Sequence, residues 1–216
     1  GDSVLRHPGF VLFWFARVAG TVGYQMMIVA VGWQLYALTS NPFDLGLIGL
    51  IQFIPAILLV LVIGQAADRC DRRLLLMGCQ VIEAIAVTTL LIAVLTGTTS
   101  RTLILGVAFI MGVARAFEVT VTQIIVPALV PLRLVPRAVA GSATANQTAT
   151  IAGPALGGLL YALGPQIVYA TCLALFVLSA ALTLEHLGER AAADHVRAAV
   201  ETVLRRGGVR TGDLGG

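Results

Sequence analysis

Ionisable side chains interrupt the long apolar runs of this sequence at four positions. Arg17, Glu83, Arg115 and Glu118 each lie inside a run that otherwise holds few charges. An ionisable group inside a membrane is costly unless it is paired, and it usually faces a bundle interior or a water-filled cavity. Such groups could bind a substrate or could bind and release a proton. Ion pairs between helices that only fix the packing explain the same residues equally well.

The positions of these four groups along their runs place them at similar depths. At about 1.5 Å per residue, Arg17 and Glu83 lie roughly 13 Å inside one boundary of their spans, and Arg115 about 15–20 Å inside it. Glu118 lies about one helical turn nearer that boundary, and its i, i+3 spacing from Arg115 allows the two to pair. We therefore predict one buried cluster of charges.

Amide side chains inside the runs are weaker candidates for the same site, because single amides also hold membrane helices together. They are Gln25, Gln52, Asn146 and Gln147.

Membrane-spanning helices must position these groups. Of the 216 residues, 58% are hydrophobic and only 12% are charged, whereas soluble domains carry about 25% charged residues. Several runs reach the roughly 20 residues that cross a bilayer core as a helix. Charge and turn residues divide the chain into six predicted spans, followed by a cytoplasmic linker at 189–216 with a short amphipathic helix and a disordered end. The spans are about 10–38, 45–67, 74–95, 102–129, 138–163 and 166–187.

Arginine placement predicts the orientation of the spans. All 14 basic residues are Arg; eleven lie in one set of loops and tails, while Arg101 alone lies in the opposite set. This positive-inside bias places both termini in the cytoplasm. The same placement explains the net charge of +3 without a nucleic-acid partner. The three Cys and three His lack metal-ligand spacing, and no nucleotide or hydrolase motif is present, so we expect no metal, no cofactor and no enzyme.

A dense charged stretch, GQAADRCDRR at 64–73, lies in the predicted cytoplasmic loop between the second and third spans. It resembles the signature loop of the major facilitator superfamily, although an Asp stands where that family usually has a second Gly. The resemblance implies a latch that holds the two halves of a transporter together in the outward-facing state. A plain positive-inside anchor explains the Arg residues but not the two Asp. The positions concerned are Gly64, Asp68, Arg69, Asp71, Arg72 and Arg73.

The stretch ATIAGPALGG at 149–158 resembles the fifth-helix pattern of proton-coupled exporters in the same superfamily. Proline bends a helix and glycines let helices approach closely. The resemblance favours export over uptake. The fourth-helix motif of such exporters is largely missing, since Ala108 stands where it expects Arg. The residues of the pattern are Ala149, which replaces the usual Gly, and Gly153, Pro154, Gly157 and Gly158.

The opening stretches RHPGF, FWFAR and VGWQLYALT resemble the enterobactin-exporter-like, or transmembrane secretion effector, branch of the superfamily. The resemblance implies an all-α membrane protein, with six transmembrane helices as two three-helix inverted repeats forming the N-terminal half of the fold. It implies a bacterial inner-membrane exporter of a small amphiphile, such as a siderophore or drug, that exchanges protons or another ion by alternating access.

The expected partners are the lipid bilayer, the small-molecule substrate, the coupling ion and a C-terminal half that this chain lacks. We expect a truncated exporter. A homodimer of half-transporters, a non-transporting six-helix scaffold or sensor, and an uptake permease remain as alternatives.

Overall fold

A computed structural model describes residues 8–69, 71–128 and 135–186, and within these ranges every regular element is an α-helix. Four of the helices (α1, α4, α5 and α7) are long and apolar enough to cross a membrane by length and composition. The all-helical class predicted from the sequence is confirmed, while the count of six spans stays a prediction. The linker predicted at 189–216 lies outside the described residues. The helices are α1 (Pro8–Thr39), α2 (Pro42–Leu58), α3 (Val60–Arg69), α4 (Arg72–Thr96), α5 (Arg101–Ala128), α6 (Val135–Ala162) and α7 (Pro165–His186).

The second predicted span, 45–67, is not one continuous helix. It is divided at Leu59, whose φ of −96° and ψ of 3° leave the helical region, so that α2 ends and α3 begins there. The division follows one turn after Pro55, which cannot donate a backbone hydrogen bond within α2. The amide of Leu59 still donates to the Pro55 carbonyl (2.9 Å), and that of Ile63 to the Leu59 carbonyl (2.7 Å). Backbone hydrogen bonds therefore continue on both sides of the break.

The turn between α1 and α2 follows from its residues. Ser40 has a φ of 51°, and the Asn41 side chain caps α2 by accepting a hydrogen bond from the Phe43 amide. Pro42 occupies the first turn, where its missing N–H leaves no bond unmade. The turn between α1 and α2 therefore needs only residues 40–43, which supply the positive φ, the cap and the first-turn proline.

The helices pack in two linked groups. α1 lies against α6 and α7, whereas α5 lies against α4 and α2, and the contact between α4 and α7 joins the groups. Their shared core is apolar and includes Met27, Leu90, Met111, Tyr169 and Phe176. Many large apolar side chains face outward, among them Leu58 and Leu61, which are 72% and 78% exposed. A surface this apolar suits lipid or another membrane helix.

Glycine permits two close helix contacts. A Cβ added at Gly112 of α5 would lie 2.6 Å from the Gln52 carbonyl oxygen of α2. One added at Gly157 of α6 would lie 2.8 Å from the Met26 Cα of α1. Only a residue without a side chain fits at these distances, so α2 and α6 approach their neighbours at backbone contact.

Candidate functional site

The structure brings the predicted buried charges together on three helices. Arg17 lies on α1, Glu83 on α4, and Arg115 and Glu118 on α5. Glu83 and Glu118 are 1% and 3% exposed, and both arginines are partly buried. Arg17 interacts electrostatically with Glu118 and Arg115. The four groups therefore form one cluster inside the bundle.

Arg115 and Glu118 form an ion pair on one face of α5. Arg115 Nη1 donates to Glu118 Oε2 at 2.6 Å, across the i, i+3 spacing. The Arg115 guanidinium also lies over the Tyr24 ring of α1, with its Cζ 4.7 Å from the ring centroid. A cation over an aromatic face is attracted by the ring quadrupole. One carboxylate and one aromatic ring thus hold the cation between α5 and α1.

Glu83 lies beside this pair without joining it. The charged groups that interact with it electrostatically are Glu118 and Arg115. Its Oε1 atom is buried and has no hydrogen-bond partner among the described residues. Two neighbouring carboxylates in a low-dielectric interior repel each other when both are ionised. The site therefore holds one compensated acid and one acid whose charge is not directly paired.

A polar group that the sequence analysis missed extends the cluster to α7. Gln80 lies one turn before Glu83 and donates through Nε2 to Ser179 Oγ (2.8 Å) and Thr183 Oγ1 (3.3 Å). All three residues are buried. The sequence contained only a weak indication of this group. An amide lies three residues before an acid in one run, and two hydroxyl side chains lie four residues apart in another.

A cavity of about 270 Å³ lies next to the cluster. Arg115 and Tyr24 form one part of its wall, and the broken helix pair α2–α3 forms another. Gln52 Nε2 is buried without a hydrogen-bond partner among the described residues, so the wall includes an unused donor. The lining residues are Tyr24, Gln52, Ala56, Ile63, Gly112, Arg115, Ala116, Val119 and Thr120.

The remaining amides lie elsewhere. Gln25 packs against Gly153 at the contact of α1 with α6. Asn146 accepts a hydrogen bond from Thr21 Oγ1 at the same contact (3.2 Å). Gln147 is exposed on α6. None of these three amides lines the cavity, so the structure places them in helix packing or on the surface.

The exporter-like pattern on α6 contributes to packing against α1. Ala149 is 2% exposed, and both Gly153 and Gly157 lie in close contact with α1. Pro154 lies inside the helix. A Cβ at Gly158 would meet no described atom within 4 Å. The pattern therefore presents one glycine face to α1 and leaves Gly158 open.

The charged loop joins α3, which ends at Arg69, to α4, which begins at Arg72. A Cβ at Gly64 would meet no described atom within 4 Å. Asp71 is exposed, and its backbone oxygen accepts from the Leu75 amide at 3.0 Å. The side chains of the remaining latch residues lie outside the described part of the structure: Asp68, Arg69, Arg72 and Arg73.

A second ion pair, also missed from the sequence, joins the beginnings of α2 and α5. Asp44 is 2% exposed and accepts from Arg101 Nη2 at 2.7 Å and from Nε at 3.0 Å. This guanidinium holds the pKa of the Asp44 carboxyl below its ordinary value of 3.8. Arg101, the one Arg in the opposite set of loops, thus has a structural partner.

No group of three or more His, Cys, Asp or Glu residues in the part of the chain that the structure describes could hold a metal ion.

Comparison with known proteins agrees with a membrane transporter. A family model described as transmembrane secretion effector matches residues 3–207. Macrolide efflux protein A of Streptococcus pyogenes is 24% identical over 152 residues, which cover 70% of this chain and 38% of that protein. The same figures hold for macrolide efflux protein A of a serotype M6 strain of that species. The match therefore covers well under half the length of these curated relatives.

Proposed function

This chain belongs to the transmembrane secretion effector family of the major facilitator superfamily, and we propose that it supplies one wall of the transport pathway of an exporter. The proposal makes it a transporter rather than an enzyme. Membership of this family makes it a multi-pass membrane protein, and we assign it to the bacterial inner membrane with both termini in the cytoplasm.

One observation carries the proposal: Arg115 lines the cavity while it is paired with Glu118 and held over Tyr24. An ionisable side chain at membrane depth is kept at a cost in stability, and it commonly marks a substrate or ion pathway. A pair that served packing alone would gain nothing from facing an open cavity.

The lining favours a small amphiphile as the substrate. Ala56, Ile63 and Val119 provide apolar surface, while Arg115 and the amide of Gln52 provide hydrogen-bond donors. Ligand sites usually measure about 300–1,000 Å³, so this cavity of about 270 Å³ would hold only one part of a large molecule. A macrolide, which the curated relatives are named for exporting, or a siderophore would extend beyond it toward a facing wall.

We propose alternating access driven by proton exchange, with six membrane spans. In this account α2 and α3 form one broken span, and α6 forms another. Backbone hydrogen bonds run up to Leu59 and onward from it, which supports a single distorted crossing. Broken helices are tolerated in membranes where they line a cavity, and both α2 and α3 contribute to this one. The spans would form two three-helix repeats.

The facing wall would come either from the remainder of a longer protein or from a second copy of this chain. Gly64 and Gly158 are both open on the side away from described atoms, and open glycines allow another backbone to approach. We propose that the loop at 64–73 latches this unit to its facing half in the outward-facing state, through Asp68 and its neighbouring arginines. Asp68→Asn is then expected to reduce efflux while membrane insertion is retained.

Macrolide accumulation in bacteria that lack their own macrolide pumps tests the proposal. Cells expressing the chain, alone or together with the facing half of a family member, are expected to accumulate less radiolabelled macrolide than cells with an empty vector. A protonophore should abolish the difference. Arg115→Gln should also abolish it, whereas Arg101→Gln removes an Arg from the same helix outside the cavity and should not.

The outcomes separate the alternatives. Efflux by the chain alone, with cross-linking of Gly158→Cys between two copies, supports a homodimer. Efflux only with the facing half supports a partner-dependent unit. Normal insertion with unchanged accumulation in both cases contradicts the transporter proposal and favours a scaffold or sensor. Increased accumulation indicates an uptake permease.

A further inference from the structure

The orientation of the Gln80 side chain is fixed by its partners on α7. Thr183 Oγ1 donates its hydrogen to the Ser179 carbonyl oxygen at 2.8 Å, so toward Gln80 it can act only as an acceptor. The group that Gln80 presents to it must therefore be the amide nitrogen, as the structure has it. The Gln80 carbonyl oxygen consequently points away from both hydroxyls.

Two buried acceptors then remain on one face of α4. Gln80 Oε1 and Glu83 Oε1 have no hydrogen-bond partner among the described residues, and their side chains are 3% and 1% exposed. The i, i+3 spacing puts them side by side on the helix, with about 5–6 Å between the Cβ atoms. Buried polar atoms are nearly always hydrogen-bonded. Two neighbouring acceptor oxygens that both lack a partner therefore indicate that a hydrogen-bond donor is missing between them.

A proton on Glu83 supplies that donor. A neutral carboxylic acid has one O–H group, and donation from it to Gln80 Oε1 would satisfy both side chains with one hydrogen bond. Protonation also removes the repulsion between Glu83 and Glu118. Glu118 already has a partner, because its Oε2 atom accepts from Arg115 Nη1 at 2.6 Å.

The groups around Glu83 agree with a proton on Glu83 and an ion pair at Glu118. The charged groups that face it from α5 are Glu118 and Arg115, which compensate each other. Tyr24 of α1 and Cys79 of α4 also interact with it electrostatically. The polar groups of α7 beside this part of α4 are the hydroxyls that hold Gln80. Among the described residues, Arg115 is the cation that interacts electrostatically with Glu83, and its hydrogen bond to a carboxylate goes to Glu118.

We propose that Glu83 is the proton-binding group of this chain and that it holds its proton against Gln80 Oε1. On release, the proton passes to water and the carboxylate is left facing Arg115. The proton that the proposed transport exchanges is then carried on α4, beside the Gln80 side chain that bonds α7, and not by the ion-paired Glu118 of α5. This inference rests on the proposed function for its role in transport, although the protonated site itself does not.

Infrared spectroscopy of the purified 216-residue chain in lipid tests the site directly. The wild type at neutral pH is expected to show the carbonyl stretch of a protonated carboxylic acid. Glu83→Gln should remove that band. Gln80→Leu should shift the band to higher frequency, because the acid loses its acceptor. The matched control is Gln147→Leu, which removes an exposed amide from α6 and should leave the band unchanged.

Several results would overturn the proposal. A band that survives Glu83→Gln assigns the proton elsewhere. A band that sodium ions remove at constant pH indicates a cation site in place of a proton site. If Glu83→Gln fails to fold, the Gln80→Leu shift decides alone, since an unshifted band contradicts the hydrogen bond.

Transport separates this inference from the proposed function. Macrolide efflux without a Glu83 band contradicts the inference and leaves the exporter intact. A Glu83 band in a chain that exports nothing, with or without a facing half, contradicts the exporter and leaves the protonated site intact.

Discussion

Two arginine–carboxylate pairs lie on α5, and their difference separates a structural contact from a site. The end pair, Asp44–Arg101, joins α2 to α5 through two donor nitrogens, and its Arg side chain is 50% exposed. The central pair, Arg115–Glu118, lies about 21 Å along the helix, within α5 alone, and its Arg side chain is 17% exposed. Both are short, so distance alone does not distinguish them.

The central pair differs in what surrounds it. Arg115 also faces the Tyr24 ring and the cavity, and an additional acid, Glu83, lies nearby with an unpartnered oxygen. Of the five N–H donors of a guanidinium, one bonds Glu118 among the described residues. Arg115 thus has N–H donors, and Glu83 a carboxyl group, that helix packing does not use. Such unused polar groups beside a cavity are typical of a binding site. The end pair shows no such excess.

Removal of the central cation is expected to have the largest effect. Arg115→Gln leaves Glu118 buried without its partner, which costs about 3–5 kcal/mol for a buried pair. We expect a lower unfolding midpoint of the purified chain and no macrolide efflux. Arg115→Lys keeps the charge but not the planar guanidinium, so it should recover stability more than efflux. Full efflux in Arg115→Gln would place the site elsewhere.

The contact that links the two pairs can be broken at Gly112. Gly112→Val forces α2 away from α5 in the cavity wall, because the new Cβ would lie 2.6 Å from the Gln52 carbonyl oxygen. Overpacking of this kind costs about 1–3 kcal/mol. Thermal unfolding and efflux should both decline. Gly106→Val on the same helix is the control, since a Cβ there meets no described atom within 4 Å. Equal effects of the two substitutions would contradict the close contact.

The end pair is expected to affect stability and not selectivity. Asp44→Asn should lower the unfolding midpoint and leave the ratio of efflux rates for different macrolides unchanged. Because Arg101 lowers the pKa of Asp44 in the folded state, its stabilisation is present above the ordinary value of 3.8 and is lost as the pH falls below it. The difference between wild type and Asp44→Asn should therefore narrow in acid. A changed ratio of efflux rates in Asp44→Asn would show that the end pair also contributes to substrate selection.

Salt should produce the smallest difference between the pairs. Salt screens charges that water can reach and screens buried charges much less, and the Arg101 side chain is 50% exposed whereas that of Arg115 is 17% exposed. Raising the salt concentration should therefore diminish the stability difference that Asp44→Asn makes and leave the Arg115→Gln difference nearly constant. Equal salt sensitivity would contradict the burial of the central pair.

The sequence was sufficient to predict helices and buried charges, but not the contacts among them. Apolar runs predict helices because a membrane requires every backbone group to be bonded within its own segment. Arg115 and Glu118 could be paired from their spacing alone. By contrast, helices that are apolar all round carry little information about which face meets which neighbour. The interaction of Gln80 with Ser179 and Thr183 was therefore not predictable, nor was the pairing of Asp44 with Arg101. The break at Leu59 was missed because Pro55 was included in a continuous span.

Protection of an engineered cysteine tests most directly whether the central region is the binding site. Thr120→Cys lies in the cavity wall, and Thr98→Cys lies on the exposed turn near the end pair. We predict that a macrolide slows the reaction of a maleimide with the cysteine at position 120 and leaves the reaction at position 98 unchanged. Equal rates at position 120 with and without macrolide, in a chain that exports it, would contradict the account.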